Sequence, residues 1–111
     1  MSESENSSTA ASQSQCDKLA AAVLRYCEDN HFKIAAAESL TGGLLADAFV
    51  RIPGASKVFL GSAVTYDIRA KAKILGVNAD LLAREGAVHP EVARQMAAGT
   101  AQLYRQTEDG D

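Results

Sequence analysis

From Asp17 onward the apolar positions Leu19, Val23, Tyr26 and Cys27 recur at the spacing that puts side chains on one face of a helix. Ser14 and Asp17 predict a capping-box-like start and Asn30 a stop. Phe32 to Ala37 then shortens into small apolar residues, which predicts a strand packed closely against helices on both faces. Leu44, Leu45, Ala48, Phe49 and Ile52 return to helical spacing, and Pro53-Gly54 ends that helix in a turn. Val58 to Tyr66 becomes β-branched and aromatic over its later half and predicts a second strand. Asp67 then caps a third helix that runs through Ala70, Lys71, Ala72, Lys73, Ile74 and Leu75 to Gly76, a residue suited to a left-handed stop. A short helix follows from Asn78 to Glu85, stopped by Gly86. The last begins at His89-Pro90-Glu91, with proline at its first position, and is expected to bury Val92, Met96, Gly99 and Leu103.

Two strands and five helices in this order predict an α/β chain in which helices cover a parallel or mixed sheet. Two strands alone leave both outer edges without backbone partners. After Tyr104 the sequence offers only polar and acidic residues and no third strand. Either a partner supplies further strands, or the chain is the front part of a larger domain.

Composition narrows the function classes. The 111 residues are 47% hydrophobic and 23% charged, with a formal net charge of -3. Eleven Lys and Arg are scattered rather than massed, and the three Tyr and three Phe are not interleaved with them, which argues against nucleic-acid binding. Residues 1–15 are Ser-rich, acidic and nearly free of large apolar side chains, so a disordered tail is expected there, with the domain occupying 16–111. The tail lacks the basic start and apolar core of a secretory signal, and no stretch approaches the length of a membrane span. A cytoplasmic location with no membrane partner is therefore expected. Cys16 and Cys27 lack CxxC spacing and read as reduced thiols, and His31 and His89 lie too far apart to suggest a metal.

The chemistry concentrates at Ala35-Ala36-Ala37-Glu38-Ser39-Leu40-Thr41-Gly42-Gly43, where a small apolar strand runs into polar side chains and a glycine pair at the mouth of a helix. Each glycine costs about 1 kcal/mol relative to alanine within a helix, so a pair suggests that a backbone or a ligand comes close. Plain capping by Ser39 or Thr41 is the simpler alternative. Parallel strands bring Ser39, Tyr66 and Lys71 to one sheet edge, where open α/β sheets bind ligands. A lysine near a helix N-terminus and partly buried loses its proton more easily and can serve as base for serine. The amides around Thr41 to Gly43 are then candidate oxyanion or phosphate donors. The competing reading makes Lys71 a solvated surface residue.

Ala37-Glu38-Ser39-Leu40-Thr41-Gly42-Gly43, Ile52-Pro53-Gly54-Ala55-Ser56, Val64-Thr65-Tyr66 with Ala70-Lys71-Ala72, Leu75-Gly76-Val77 and Gly86-Ala87-Val88 together resemble the CinA C-terminal domain, the nicotinamide-nucleotide amidase (NMN deamidase) family. The resemblance spans nearly the whole chain after the tail. It implies a three-layer α/β/α sandwich, of which this chain carries the N-terminal part. It also implies hydrolysis of nicotinamide mononucleotide, a small-molecule nucleotide, to nicotinic acid mononucleotide and ammonia. Ser39 takes the position of the family's nucleophile, and Tyr66 and Lys71 are similar to its catalytic partners. Glu38, Thr41, Gly42, Gly43 and Thr65 fall at neighbouring, substrate-binding positions. No metal or organic cofactor is implied, and the family commonly forms homo-oligomers. The strands and Gly-rich loop that follow in family members are absent from this sequence, and His89 stands where the family usually has a serine. A different class of function is an inactive remnant or interaction module whose sheet a partner completes.

Overall fold

A computed structural model describes the backbone of residues 3–108 and the side chains of residues 10–105. The element order is α1 (Glu3–Asp29), β1 (Ile34–Glu38), α2 (Leu44–Val50), a 3-10 turn (Ala55–Lys57), β2 (Phe59–Val64), α3 (Ile68–Leu75), α4 (Ala79–Glu85) and α5 (Pro90–Glu108). β1 and β2 pair in parallel, with the Ile34 amide on the Val58 carbonyl at one end and the Thr65 amide on the Glu38 carbonyl at the other. The fold is thus α/β with five helices and two strands among the described residues. The described residues divide into two compact units, the first running up to residue 34 with 46–59, and the second comprising 35–45 with residue 60 onward.

In the first unit α1 begins at Glu3 rather than near Asp17, so the segment expected to be a disordered tail is helical along its described length. Residues 10–16 on it are exposed. Extending a helix that packing has already nucleated costs little per residue, and the Gln13 amide bonds the Asp17 carboxylate one turn on. The buried face of α1 also differs from expectation: Ala20, Leu24 and Cys27 face the core, while Leu19, Val23 and Tyr26 are exposed. Leu24, Cys27, Ala55 and Val58 form that core, with Ile34, Phe49, Ile52 and Phe59 packed against it. Phe49 and Phe59 stack at 5.3 Å. The helix ends with His31 in the left-handed region, the Phe32 amide on the Cys27 carbonyl and the His31 amide on Glu28, a Schellman stop made without glycine.

The second unit carries most of both strands and α3, α4 and α5. Leu75, Val77, Leu81, Leu82, Val92 and Met96 form its core, backed by Ala37, Ala63 and Ala72. Local chemistry sets the helix ends. The Asp67 carboxylate accepts from the Arg69 amide, Gly76 closes α3 in the left-handed region, and Asn78 caps α4 by accepting from the Leu81 amide. The strands are less enclosed than the sequence suggests. Only Ala36 and Glu38 of β1 are buried, and no residue of β2 is. Leu103, expected inside, is exposed, and Thr100 takes a buried place on α5 instead.

Candidate active site

Ser39 follows the last residue of β1, and Lys71 lies one turn into α3, its amide closing that turn on the Asp67 carbonyl. Lys71 is 1% exposed, among the most completely buried side chains of the described residues. Its Nζ donates to Ser39 Oγ at 2.9 Å, to the Thr65 carbonyl at 2.6 Å and to the Tyr66 carbonyl at 2.9 Å. Burial pushes the Lys71 pKa below the ordinary lysine value, with the Asp67 carboxylate acting in the opposite direction. Asp67 itself is held down to about 2 by its hydrogen bonds with Arg69. The reading of Lys71 as a solvated surface residue is therefore overturned.

Tyr66 reaches the lysine through its main chain, not through its phenol. Its side chain is 75% exposed. Ser39, Tyr66 and Lys71 line one cavity of about 860 Å³, whose other walls include Ala35, Ala37, Leu40, Val88, His89, Ala93, Met96 and Thr100. That volume is in the range of small-molecule sites. The lining is mainly apolar, with a few polar groups gathered on it.

The remaining residues singled out from sequence are placed otherwise. Glu38 is 3% exposed and does not line the cavity. Its Oε1 accepts from Thr41 Oγ1 at 2.9 Å, from the Gly43 amide at 3.1 Å and from the Leu45 amide at 2.8 Å, and its Oε2 accepts from Ser62 Oγ at 2.7 Å. The Gly42 amide is held by the Ser39 carbonyl. The stretch of amides around Thr41 to Gly43, expected to greet a ligand, is therefore largely engaged by this chain's own carboxylate and carbonyl. A buried carboxylate draws such donors strongly, because leaving it unpaired away from water is costly. Gly42 and Gly43 both have positive φ, so the glycine pair serves the turn itself. Thr41, Gly42 and Gly43 lie outside the cavity lining, as does Thr65, which is 1% exposed with its hydroxyl lacking a partner among the described residues.

Thr100 and Met96, which no motif marked, complete the α5 wall. Helical spacing with Val92 was the available signal, since it places Met96 and Thr100 on one face. Among the described residues no group of three or more His, Cys, Asp or Glu is arranged to hold a metal ion. No helix among them is long and apolar enough to cross a membrane.

Residues 16–107 match the sequence profile of the CinA C-terminal domain. A CinA-like protein of Geobacter metallireducens is 51% identical over 81 residues, covering 73% of this chain and 20% of that protein. A CinA-like protein of Thermotoga maritima is 41% identical over 87 residues, covering 78% of this chain and 21% of that protein. Among solved structures, the competence/damage inducible protein CihA of Agrobacterium tumefaciens superposes with a TM-score of 0.76 at 37% identity, covering 78% of this chain and 53% of that one. A CinA superfamily protein of Escherichia coli superposes at 0.76 and 33% identity, covering 78% and 51%. The chain thus spans about a fifth of these curated relatives and about half of these solved structures.

Proposed function

As the chain belongs to the CinA C-terminal domain family, we propose that it is an amidohydrolase converting nicotinamide mononucleotide to nicotinic acid mononucleotide and ammonia. The observation that carries this reading is the contact of a buried lysine amine with a serine hydroxyl on a cavity wall. A neutral amine has two N–H groups and one lone pair. With the N–H groups given to the Thr65 and Tyr66 carbonyls, the lone pair is left for the Ser39 hydroxyl proton.

In the first step Ser39 Oγ attacks the carboxamide carbon while its proton passes to Lys71 Nζ. The amide of Leu40, the lining residue next to the nucleophile, is assigned to the developing oxyanion, since the Gly42 amide is held by the Ser39 carbonyl and the Gly43 and Leu45 amides are engaged by Glu38. The intermediate collapses with cleavage of the C–N bond, and the Lys71 ammonium returns its proton to the leaving nitrogen as ammonia departs. Tyr66 lines the same cavity, and its phenol is assigned a hydrogen bond to the departing ammonia, with no proton transferred. Water then attacks the Ser39 ester with Lys71 as base, which frees the carboxylic acid and regenerates the serine. The scheme calls for no metal or organic cofactor.

The test is ammonia release from nicotinamide mononucleotide by the full chain beside Ser39→Ala and Lys71→Arg. Turnover that both substitutions abolish is expected, because a guanidinium does not yield its proton at working pH. Turnover surviving Ser39→Ala would discard the reading. A second reading, an interaction module whose sheet another chain completes, is favoured by the exposure of Val64, Ile74 and Leu103 in a unit with two strand edges. Sedimentation of an inactive but folded chain with an added copy of a full-length relative would support it.

A further inference from the structure

The cavity carries one ring that the hydrolytic steps leave unused. His89 lines it immediately before α5, and its Nδ1 accepts from the Glu91 amide at 3.1 Å. A nitrogen that accepts an amide proton carries none of its own, so the neutral ring bears its proton on Nε2. Capping does not require an imidazole, since a serine or asparagine would satisfy the same amide. What the imidazole adds is a second polar atom, a donor, on a residue that lines the cavity beside Ala87, Val88, Pro90 and Ala93.

The surroundings select the kind of group that donor would meet. Lys71 and Ser39 are bonded to each other, and the Thr100 hydroxyl donates to the Met96 carbonyl. Glu91, the nearest carboxylate in sequence, is paired with the Arg94 guanidinium, which offsets its charge, and accepts a further hydrogen bond from Gln95. An N–H donor with its local carboxylate offset, on an apolar wall, favours an acceptor that brings negative charge. We infer that His89 is a specificity-determining residue that donates from Nε2 to a phosphoryl oxygen of the bound nucleotide, an assignment that rests on the amidase reading for the ligand's identity.

The experiment follows the imidazole resonances of the 15N-labelled full chain on addition of nicotinamide mononucleotide or of nicotinamide riboside, which lacks the phosphate. The chain has two histidines, and a His31→Asn variant separates their signals. The expected result is a shift of the His89 Nε2 signal with the nucleotide alone. His89→Ser, which keeps a cap, is expected to weaken nucleotide binding about tenfold while riboside binding stays within about twofold. Equal loss for both ligands, no loss for either, or no binding of the nucleotide would overturn the inference. If these binding results hold while ammonia release fails, the hydrolytic reading falls and the role of His89 stands. If hydrolysis depends on Ser39 but nucleotide binding is indifferent to His89→Ser, the reverse applies.

Discussion

The Lys71 amine lies 2.9 Å from the Ser39 hydroxyl across 32 positions of sequence. Burial lowers the lysine pKa from its ordinary 10.5, and Asp67 opposes that shift. The base works as the neutral amine, so kcat/KM for ammonia release should climb with pH through the lowered pKa and level off above it. Asp67→Asn, which keeps a helix cap but removes the opposing charge, should move that limb to lower pH; a limb that stays in place or moves upward contradicts the assignment. Stability shares the sign. Between the folded pKa and 10.5 the unfolded chain holds the extra proton, so unfolding free energy contributed by Lys71 should rise with pH across that window.

Glu38 organises the turn that presents Ser39. Its carboxylate satisfies two amides and two hydroxyls from within a site 3% exposed. Glu38→Ala should strand these donors and lower unfolding free energy by about 2–3 kcal/mol in urea denaturation. Glu38→Gln, which retains an acceptor for the amides, should cost less.

At Gly99 the last helix passes directly over the backbone of the third. A Cβ there would stand 1.8 Å from the Leu75 carbonyl oxygen, a backbone atom that cannot swing aside. Gly99→Ala should therefore force α5 away from α3 and destabilise the chain by about 2–3 kcal/mol. Because α3 holds Lys71 and α5 holds Met96 and Thr100, the same variant should weaken ligand binding in a calorimetric titration.

Thr65 presents the opposite case, a buried hydroxyl without a partner among the described residues. Thr65→Val keeps the shape and removes the unsatisfied group, and thermal unfolding should show a gain of about 1 kcal/mol. A loss of that size would mean that the hydroxyl is engaged in solution.

Much of the framework was legible because its signals are local. Asp67, Gly76, Asn78, Gly86 and the His89-Pro90 start each act on backbone groups within a few residues, and the structure uses all of them at helix ends. The run of apolar residues in α1 was legible as a helix but not in its orientation. Leu19 and Val23 lie out and Ala20 and Leu24 lie in, because that choice depends on Ala55 and Val58, supplied by a distant stretch.

The order of strands and turns was enough to place Ser39, Tyr66 and Lys71 at one sheet edge on the condition that the two strands run parallel, which the structure satisfies. Tertiary structure decided what those groups became. It buried the lysine, turned two main-chain carbonyls onto its amine, and aimed the Glu38 carboxylate at the amides of the glycine turn. The physical reason is that capping and pairing are settled by neighbours in sequence, whereas desolvation and side-chain partnership are settled by whatever the fold brings alongside.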